Sequence, residues 1–329
     1  MLRALLTMAS PAGARARLSV LVLHRVLAVP DTLFPKEVDA AHFTQICRWV
    51  RSMFNVLPLD AAVRGLRAGT LPQRALAITF DDGYADNRHV ALPILQQFGL
   101  TATVFVATGF LDGGCMWNDI VIDSIRRSRV TQLDLRDLLG AEGGPYTLQT
   151  LEQRRYFAST VVEAVKYLGV ADRLARVREI GRRLEVSPPE DLMMTSGDVQ
   201  ALHRAGMQIG AHTVSHPILA VLSEDEARHE MQESKRTLEN LIDDGVPLFA
   251  FPNGKPGEDY DSRSVLLARE VGFEAAMTTV RGAASPSSDL YQLPRFTPWD
   301  RTRLRFGARM LSTLCAPGNR PLFGGAVTA

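Results

Sequence analysis

The sequence predicts an α/β fold, a distorted barrel of the (β/α) kind with a helical insertion. Short apolar runs alternate with segments of helical spacing along most of the 329 residues, as repeated βα units around a parallel sheet do. No glycine-rich dinucleotide or phosphate fingerprint accompanies them, which argues against an open nucleotide-binding sheet. Two adjacent aspartates, Asp81 and Asp82, follow the apolar run 75–80 directly. In such a barrel the chemistry sits at the C-terminal ends of the strands.

The first element is a short amphipathic helix in "MLRALLTMA". Its apolar stretch is interrupted by Thr7 and Ser10, so it is read as an uncleaved helix and not as a signal peptide. Residues 1–17 form an N-terminal arm. "LSVLVLH", 18–24, is the first strand. Segment 39–54 is a helix with Phe43, Ile46, Val50 and Phe54 on one face. "NVLPL" is extended, and the helix after it has Asp60 placed as its N-cap. Residues 85–99 read as one helix ending near Gly99, and 101–108 as a β-branched, buried strand.

The rhythm then changes. Residues 112–196 or so are mostly helical and rich in arginine, an insertion into the barrel. Alternation resumes with a capped helix and a strand from Met207 to Ala211. A charged amphipathic helix, a strand in "LFAFPNG", a helix over 262–273 and a strand in "EAAMTTV" complete the pattern. The barrel is expected over 18–310 and a C-terminal tail over 311–329.

The composition narrows the function. A net charge of +1, with acidic residues interspersed among the arginines, gives no strong global field favouring nucleic acid or anionic membrane. Cys47, Cys115 and Cys315 are far apart and form no C-x-x-C pair, against a disulfide framework or a cysteine zinc site. No run reaches the length of a membrane span.

Two adjacent carboxylates at a buried strand end repel each other and resist desolvation. Asp-Gly is also a common turn signal. "GAHTVSH", 210–216, sharpens the choice. His212 and His216 are four apart at another strand end, in a chain with seven histidines. They can be surface residues around a turn. Two imidazoles with one carboxylate can also bind Zn²⁺ and leave a position open for water. One aspartate would then be a ligand and the other a base, with the cation relieving their repulsion.

"TFDDGYADN" together with "HTVSH" resembles the polysaccharide deacetylases, the NodB-homology domain of carbohydrate esterase family four. The likeness runs from about residue 18 to about 300 and is weakest in the insertion. The order of the pieces is similar to the circularly arranged branch acting on poly-N-acetylglucosamine, whose usual C-terminal histidine motif moves to the first strand. Here that strand ends at His24, and no histidine follows His229.

The resemblance implies a barrel of the deacetylase type and one divalent metal, Zn²⁺ by preference, held by Asp82, His212 and His216. It makes Asp81 the general base and His24 the acid that protonates the leaving amine. The oxyanion-binding amide of the family maps to Asn253 in "FAFPNG". Two departures stand out. Ala250 replaces the arginine that steadies the base in the family, and Asn253 replaces a tyrosine. Arg295, at the end of the last expected strand, is proposed to orient Asp81 instead, against the plain alternative of a solvated rim arginine. Trp117 and Trp299 are candidates to stack on sugar rings.

The expected function is a metal-dependent N-deacetylase of an amino sugar in a bacterial polysaccharide or glycolipid precursor. A deformylase or deacylase of a lipid- or nucleotide-linked sugar shares the chemistry. A catalytically silent carbohydrate-binding protein needs no base, and phosphoester hydrolysis often wants two metals. The expected partner is a carbohydrate or glycolipid, and no nucleic acid. The expected location is the cytoplasm, with peripheral membrane contact through the apolar, basic N-terminus.

Overall fold

Parallel strands covered on both faces read as continuous apolar runs, and all six residues of 18–23 and of 75–80 are buried. The computed structural model describes residues 1–316. Its strands are β1 (Leu18–Leu23), β2 (Asn55–Val56), β3 (Ala75–Phe80), β4 (Thr103–Val106), β5 (Gln132–Leu133), β6 (Tyr146–Thr147), β7 (Gln208–Ala211), β8 (Leu248–Ala250), β9 (Ala275–Arg281) and β10 (Leu293–Arg295). Seven of them run in the order β1-β3-β4-β7-β8-β9-β10, each pair of sheet neighbours parallel. Phe296, just past β10, accepts from the Val22 amide at 3.0 Å and donates to the Val20 carbonyl at 2.8 Å. These bonds nearly close the sheet into the expected barrel.

The helices are α1 (Leu2–Ala9), α2 (Ala40–Met53), α3 (Leu59–Ala68), α4 (Leu92–Phe98), α5 (Trp117–Arg127), α6 (Arg136–Leu139), α7 (Leu151–Lys166), α8 (Val170–Arg183), α9 (Ser196–Arg204), α10 (Glu224–Ile242), α11 (Ser262–Glu270) and α12 (Arg303–Cys315). Reciprocal capping boxes start α7, α9, α10 and α11, each satisfying amides that a helix start leaves orphaned.

Three cores result. One lies between the strands and the surrounding helices. A second, rich in alanine, fills the barrel interior around Phe105. There a side chain at Gly210 would put its Cβ 2.3 Å from the Phe105 ring, so only glycine admits the phenylalanine. The third belongs to the insertion, where α5, α7 and α8 pack around Phe157, Val161 and Ile180.

The structure corrects several details. Asp60 is not the cap of α3: Pro58 precedes that helix, and Asp60 lies in its first turn. The helix expected over 85–99 ends at Gly99 as expected, but residues 87–91 within it, Asn87–Ala91, are π-helical before α4. The strand expected over 101–108 is four residues long. The insertion also contains an antiparallel pair, β5 with β6. The tail expected from residue 311 is helical to Cys315, because α12 packs on α1 and α2, with Phe306 against Trp49. Residues 317–329 of that tail lie outside the described residues.

Candidate metal centre and active-site cavity

Every candidate of the sequence analysis except Trp117 and Trp299 stands at or just past the C-terminal end of a barrel strand. His24 follows β1, Asp81 and Asp82 follow β3, His212 follows β7, Asn253 lies three residues past β8, and Arg295 ends β10.

Asp82, His212 and His216 converge. Their ligand atoms lie within 4.8 Å of one another, and all three residues are buried. Both imidazole Nε2 atoms face one oxygen, Asp82 Oδ1, at 3.3 Å from His212 and 3.4 Å from His216. His212 Nδ1 is 2.7 Å from the Ala250 carbonyl. That contact selects the tautomer with a proton on Nδ1 and leaves the Nε2 lone pair facing Asp82.

The loop bearing the histidines is built to hold this pose. Glu230 on α10 accepts from the amides of Val214 and Ser215 and from the Ser215 hydroxyl, at 2.7, 2.9 and 2.6 Å. Asp82, Thr213 and His216 all have positive φ, at 76°, 66° and 51°. Non-glycine residues adopt that region only where the surroundings enforce it.

Electrostatics separates the two histidines. Burial pushes His216 down to about 3, against the pull of Asp82. Burial also opposes charge on His212, but its contacts with Asp82 and Asp81 outweigh it and raise the imidazole above its ordinary value. Burial resists ionisation of Asp82, and the surrounding histidines hold its carboxyl below the usual range. Asp82 Oδ1 is buried with no hydrogen-bond donor within reach. An orphaned carboxylate oxygen beside two imidazole nitrogens is a fitting donor set for a divalent cation.

The neighbouring Asp81 is held separately. Arg295 donates to it through two parallel bonds, Nη1 to Oδ1 and Nη2 to Oδ2, both 2.6 Å. The guanidinium crosses the barrel interior with its Nε on the Thr278 carbonyl at 2.8 Å and its plane near the Phe105 ring, 5.9 Å from the centroid. Burial opposes ionisation of Asp81, yet Arg295 and then His212 hold its carboxyl below the usual range. Ala250 contributes no side-chain cation.

These groups open into a cavity of about 280 Å³. His24, Asp81, Asp82, His212 and His216 line one side, with Asn253 and Thr279. Met116, Trp117 and Asn118 at the start of α5 and Val162, Glu163 and Lys166 of α7 complete the lining. Trp117 is buried and carries the Arg173 guanidinium 4.8 Å from its ring centroid. Trp299 does not line the cavity; it is 62% exposed beyond β10. Asn253 has φ +57°, and its carbonyl accepts from the Thr279 hydroxyl at 2.7 Å.

Sequence reasoning missed the groups that place these residues. Asp86 accepts from Arg25 Nε at 2.8 Å and from the Val26 amide at 3.0 Å, and Asn87 donates to the His24 carbonyl at 2.9 Å. The "ADN" of the first motif thereby ties the β1 loop, and His24 with it, to the β3 loop. Tyr84 donates to Asp119 at 2.8 Å, a carboxyl that burial pushes up to about 7. Glu163 and Lys166 gave no signal beyond an amphipathic helix.

Comparisons agree with this geometry. A family model described as polysaccharide deacetylase matches residues 68–131 and 175–276, about half of the chain. YxkH of Bacillus subtilis (strain 168) is 20% identical over 282 residues, 85% of this chain and 71% of that protein. Among solved structures, the Streptococcus pyogenes deacetylase PplD in complex with acetate superposes with a TM-score of 0.59 at 19% identity, covering 91% of this chain and 98% of that one. IcaB from Ammonifex degensii gives 0.57 at 16% identity over 93% and 99%. At such identities the solved structures speak for the fold, and the family match rests on the two segments that carry the aspartate pair and the histidine pair: the chain belongs to the polysaccharide deacetylase family.

Proposed function

We propose that the protein is a metal-dependent hydrolase that removes the N-acetyl group from an amino sugar of a bacterial polysaccharide or glycolipid precursor. The observation that carries this reading is the division of labour at the end of β3. Asp82 faces two histidines, while Asp81, next in the chain, is clamped by Arg295 and left beside them.

Asp82, His212 and His216 would hold the ion, and their nitrogen and oxygen donors suit Zn²⁺. A divalent cation bound there supplies Lewis acidity, polarising the acyl carbonyl and acidifying a water enough for a carboxylate of lowered basicity to deprotonate it. Asp81 takes that proton at a carboxylate oxygen. Arg295 keeps the carboxylate ionised and fixed, since a paired guanidinium favours the charged form. The oxyanion that forms on the acyl carbon accepts from the backbone N–H at Asn253. His24 gives a proton to the departing nitrogen, so the C–N bond breaks to a neutral amine. The test is mass spectrometry of cell glycans and glycolipids with and without the protein. Loss of one acetyl per sugar supports the reading. Loss of a formyl group shifts it to a deformylase, and no acyl change refutes both.

A position at a membrane surface is favoured by a separate observation. Residues 1–17 and 301–316 carry Arg3, Arg15, Arg17, Arg301, Arg303, Arg305 and Arg309 and no acidic residue, in a chain of net charge +1. α1 and α12 pack together and leave Met1, Leu5, Met8 and Leu304 exposed. Cations beside exposed apolar residues suit an anionic lipid surface. Among the described residues no helix is long and apolar enough to cross a membrane. Sedimentation with vesicles of phosphatidylcholine and phosphatidylglycerol in equal parts, but not with phosphatidylcholine alone, is the expected result. Equal binding to both, or to neither, refutes it.

A further inference from the structure

The family match begins at residue 68 and does not reach His24. His24 is exposed at the cavity and starts a loop that runs to Asp39, the cap of α2. An acid at the head of a long loop acts only if the backbone beneath it is fixed, since a displacement of about 1 Å can cost about a hundredfold in rate.

Much of that fixing comes from the insertion. Leu33, in the middle of the loop, is buried in the insertion's own core. Arg126 of α5 donates to Asp31 at 2.6 Å, and Arg155 of α7 donates to the Thr32 carbonyl at 3.0 Å. The head of the loop is reached by a different route. Asp119 of α5 accepts the Tyr84 hydroxyl at 2.8 Å, and both residues are buried. The Arg25 guanidinium lies 4.9 Å from the centroid of the Tyr84 ring, with its Nε on Asp86. Arg25 is the next residue after His24.

The hydroxyl bond decides how the ring lies. A buried phenol has to satisfy its O–H, and Asp119 is the acceptor that does so. With the oxygen fixed, the ring presents its face to Arg25, a cation–π contact that gains strength away from water. The far end of the insertion brackets the same residue. The Met194 amide donates to the Gly83 carbonyl and the Ala85 amide to the Leu192 carbonyl, both at 2.9 Å. Asp119 itself does not line the cavity, so its influence on the reaction passes through Tyr84 and Arg25.

We propose that Asp119 is a positioning residue for His24: through the Tyr84 hydroxyl and the contact of the Tyr84 ring with Arg25, the insertion fixes the head of the β1 loop and so the place of the acid. The role given to His24 rests on the deacetylase reading above, and the first measurement below does not depend on activity.

Tyr84→Phe and Asp119→Ala break the same bond from its two ends, while Asp119→Asn keeps an acceptor for the hydroxyl. Hydrogen exchange of the metal-free full chain, followed by mass spectrometry, reads the loop directly through the bonded amides of Val26 and Leu27. Both breaking variants should exchange faster over residues 24–30 and unchanged over β7 and β8, and Asp119→Asn should match the unaltered chain. Unchanged exchange over 24–30, faster exchange throughout, or no recovery in Asp119→Asn would overturn the proposal whatever the activity.

Turnover by the zinc-loaded chain gives the second reading, with an N-acetylglucosamine trisaccharide as the amide and 4-nitrophenyl acetate as the ester. Both breaking variants should keep their zinc and their KM and lose about tenfold in kcat on the amide, the scale of one hydrogen bond, while the ester is spared. In a His24→Ala background neither should lower kcat further, because the residue they place is gone. Zinc loss, equal defects on amide and ester, or a further fall in the His24→Ala background would overturn the proposal. An unaltered chain inactive on both substrates, with the loop loosened in the variants, would remove the deacetylase reading and leave the tie from Asp119 to the β1 loop standing.

Discussion

The barrel rim and the helical insertion use charge in opposite ways. At the rim, Arg295 and Asp81 are 1% and 2% exposed and meet through two parallel hydrogen bonds. In the insertion, pairs such as Arg182–Glu179 and Arg136–Asp134 lie in solvent, with arginine side chains 72% and 61% exposed. A buried pair cannot be relieved by water when one partner is lost, whereas an exposed pair is screened and contributes little. The barrel therefore holds charges that have one arrangement each. The insertion puts most of its charge outside, and meets the site through a few lining side chains.

That contrast can be broken most directly at the cluster itself. His212→Ala should lose most bound metal and most activity, because two remaining ligands hold zinc poorly; elemental analysis beside turnover checks it, and full metal occupancy would reject the site. The two aspartates should then separate. Asp82→Asn should lose metal, while Asp81→Asn should keep it and lose about 10²–10⁴-fold in rate, as deletion of a general base does. Equal metal loss in both would make Asp81 a ligand.

Arg295 tests the buried pair. Arg295→Ala should destabilise the fold by about 3–5 kcal/mol, read by denaturant titration, since it strands a buried carboxylate. Arg295→Lys should recover part of the stability and stay impaired in turnover, because an ammonium lacks the planar fork. A fully active lysine variant would reduce the pair to simple charge balance.

His24→Ala should lower turnover on an amide and spare an activated ester, whose leaving group needs less protonation; an equal defect on both would assign His24 to packing. The smallest effect belongs to the insertion. Glu179→Gln removes the partner of Arg182 and one of the two acidic partners of Arg183, and its thermal midpoint should match that of the unaltered chain. A marked drop would show that the surface pairs of the insertion work as a network.

The parts legible in the sequence are those set by local pattern. Continuous apolar runs gave the strands, and strand ends followed by Asp81-Asp82 and by His212 gave the cluster, because the fold places those ends together. Arg295 was reachable because the missing cation at Ala250 posed a question that few residues near a strand end could answer. The rest depends on distances along the chain. Nothing local marks Lys166 as a neighbour of Asp259, or Arg173 as a neighbour of Trp117, since both contacts arise when the insertion folds back on the barrel. Trp299 misled for the same reason: an aromatic near a strand end says nothing of the way it turns. Asp60 failed as a cap because Pro58 starts the helix two residues earlier.

The route of Arg295 through the barrel interior has a consequence for neighbouring sequences. Ala250 has no exposed surface and belongs to the same interior core that Arg295 crosses beside Phe105. A second guanidinium at position 250 would compete for one carboxylate and leave a surplus buried cation, at a cost of several kcal/mol. The two placements are thus mutually exclusive. A chain of this fold is expected to carry its arginine on the eighth strand or on the tenth, and Ala250→Arg should be tolerated here only together with Arg295→Ala. The two positions should exchange as a pair.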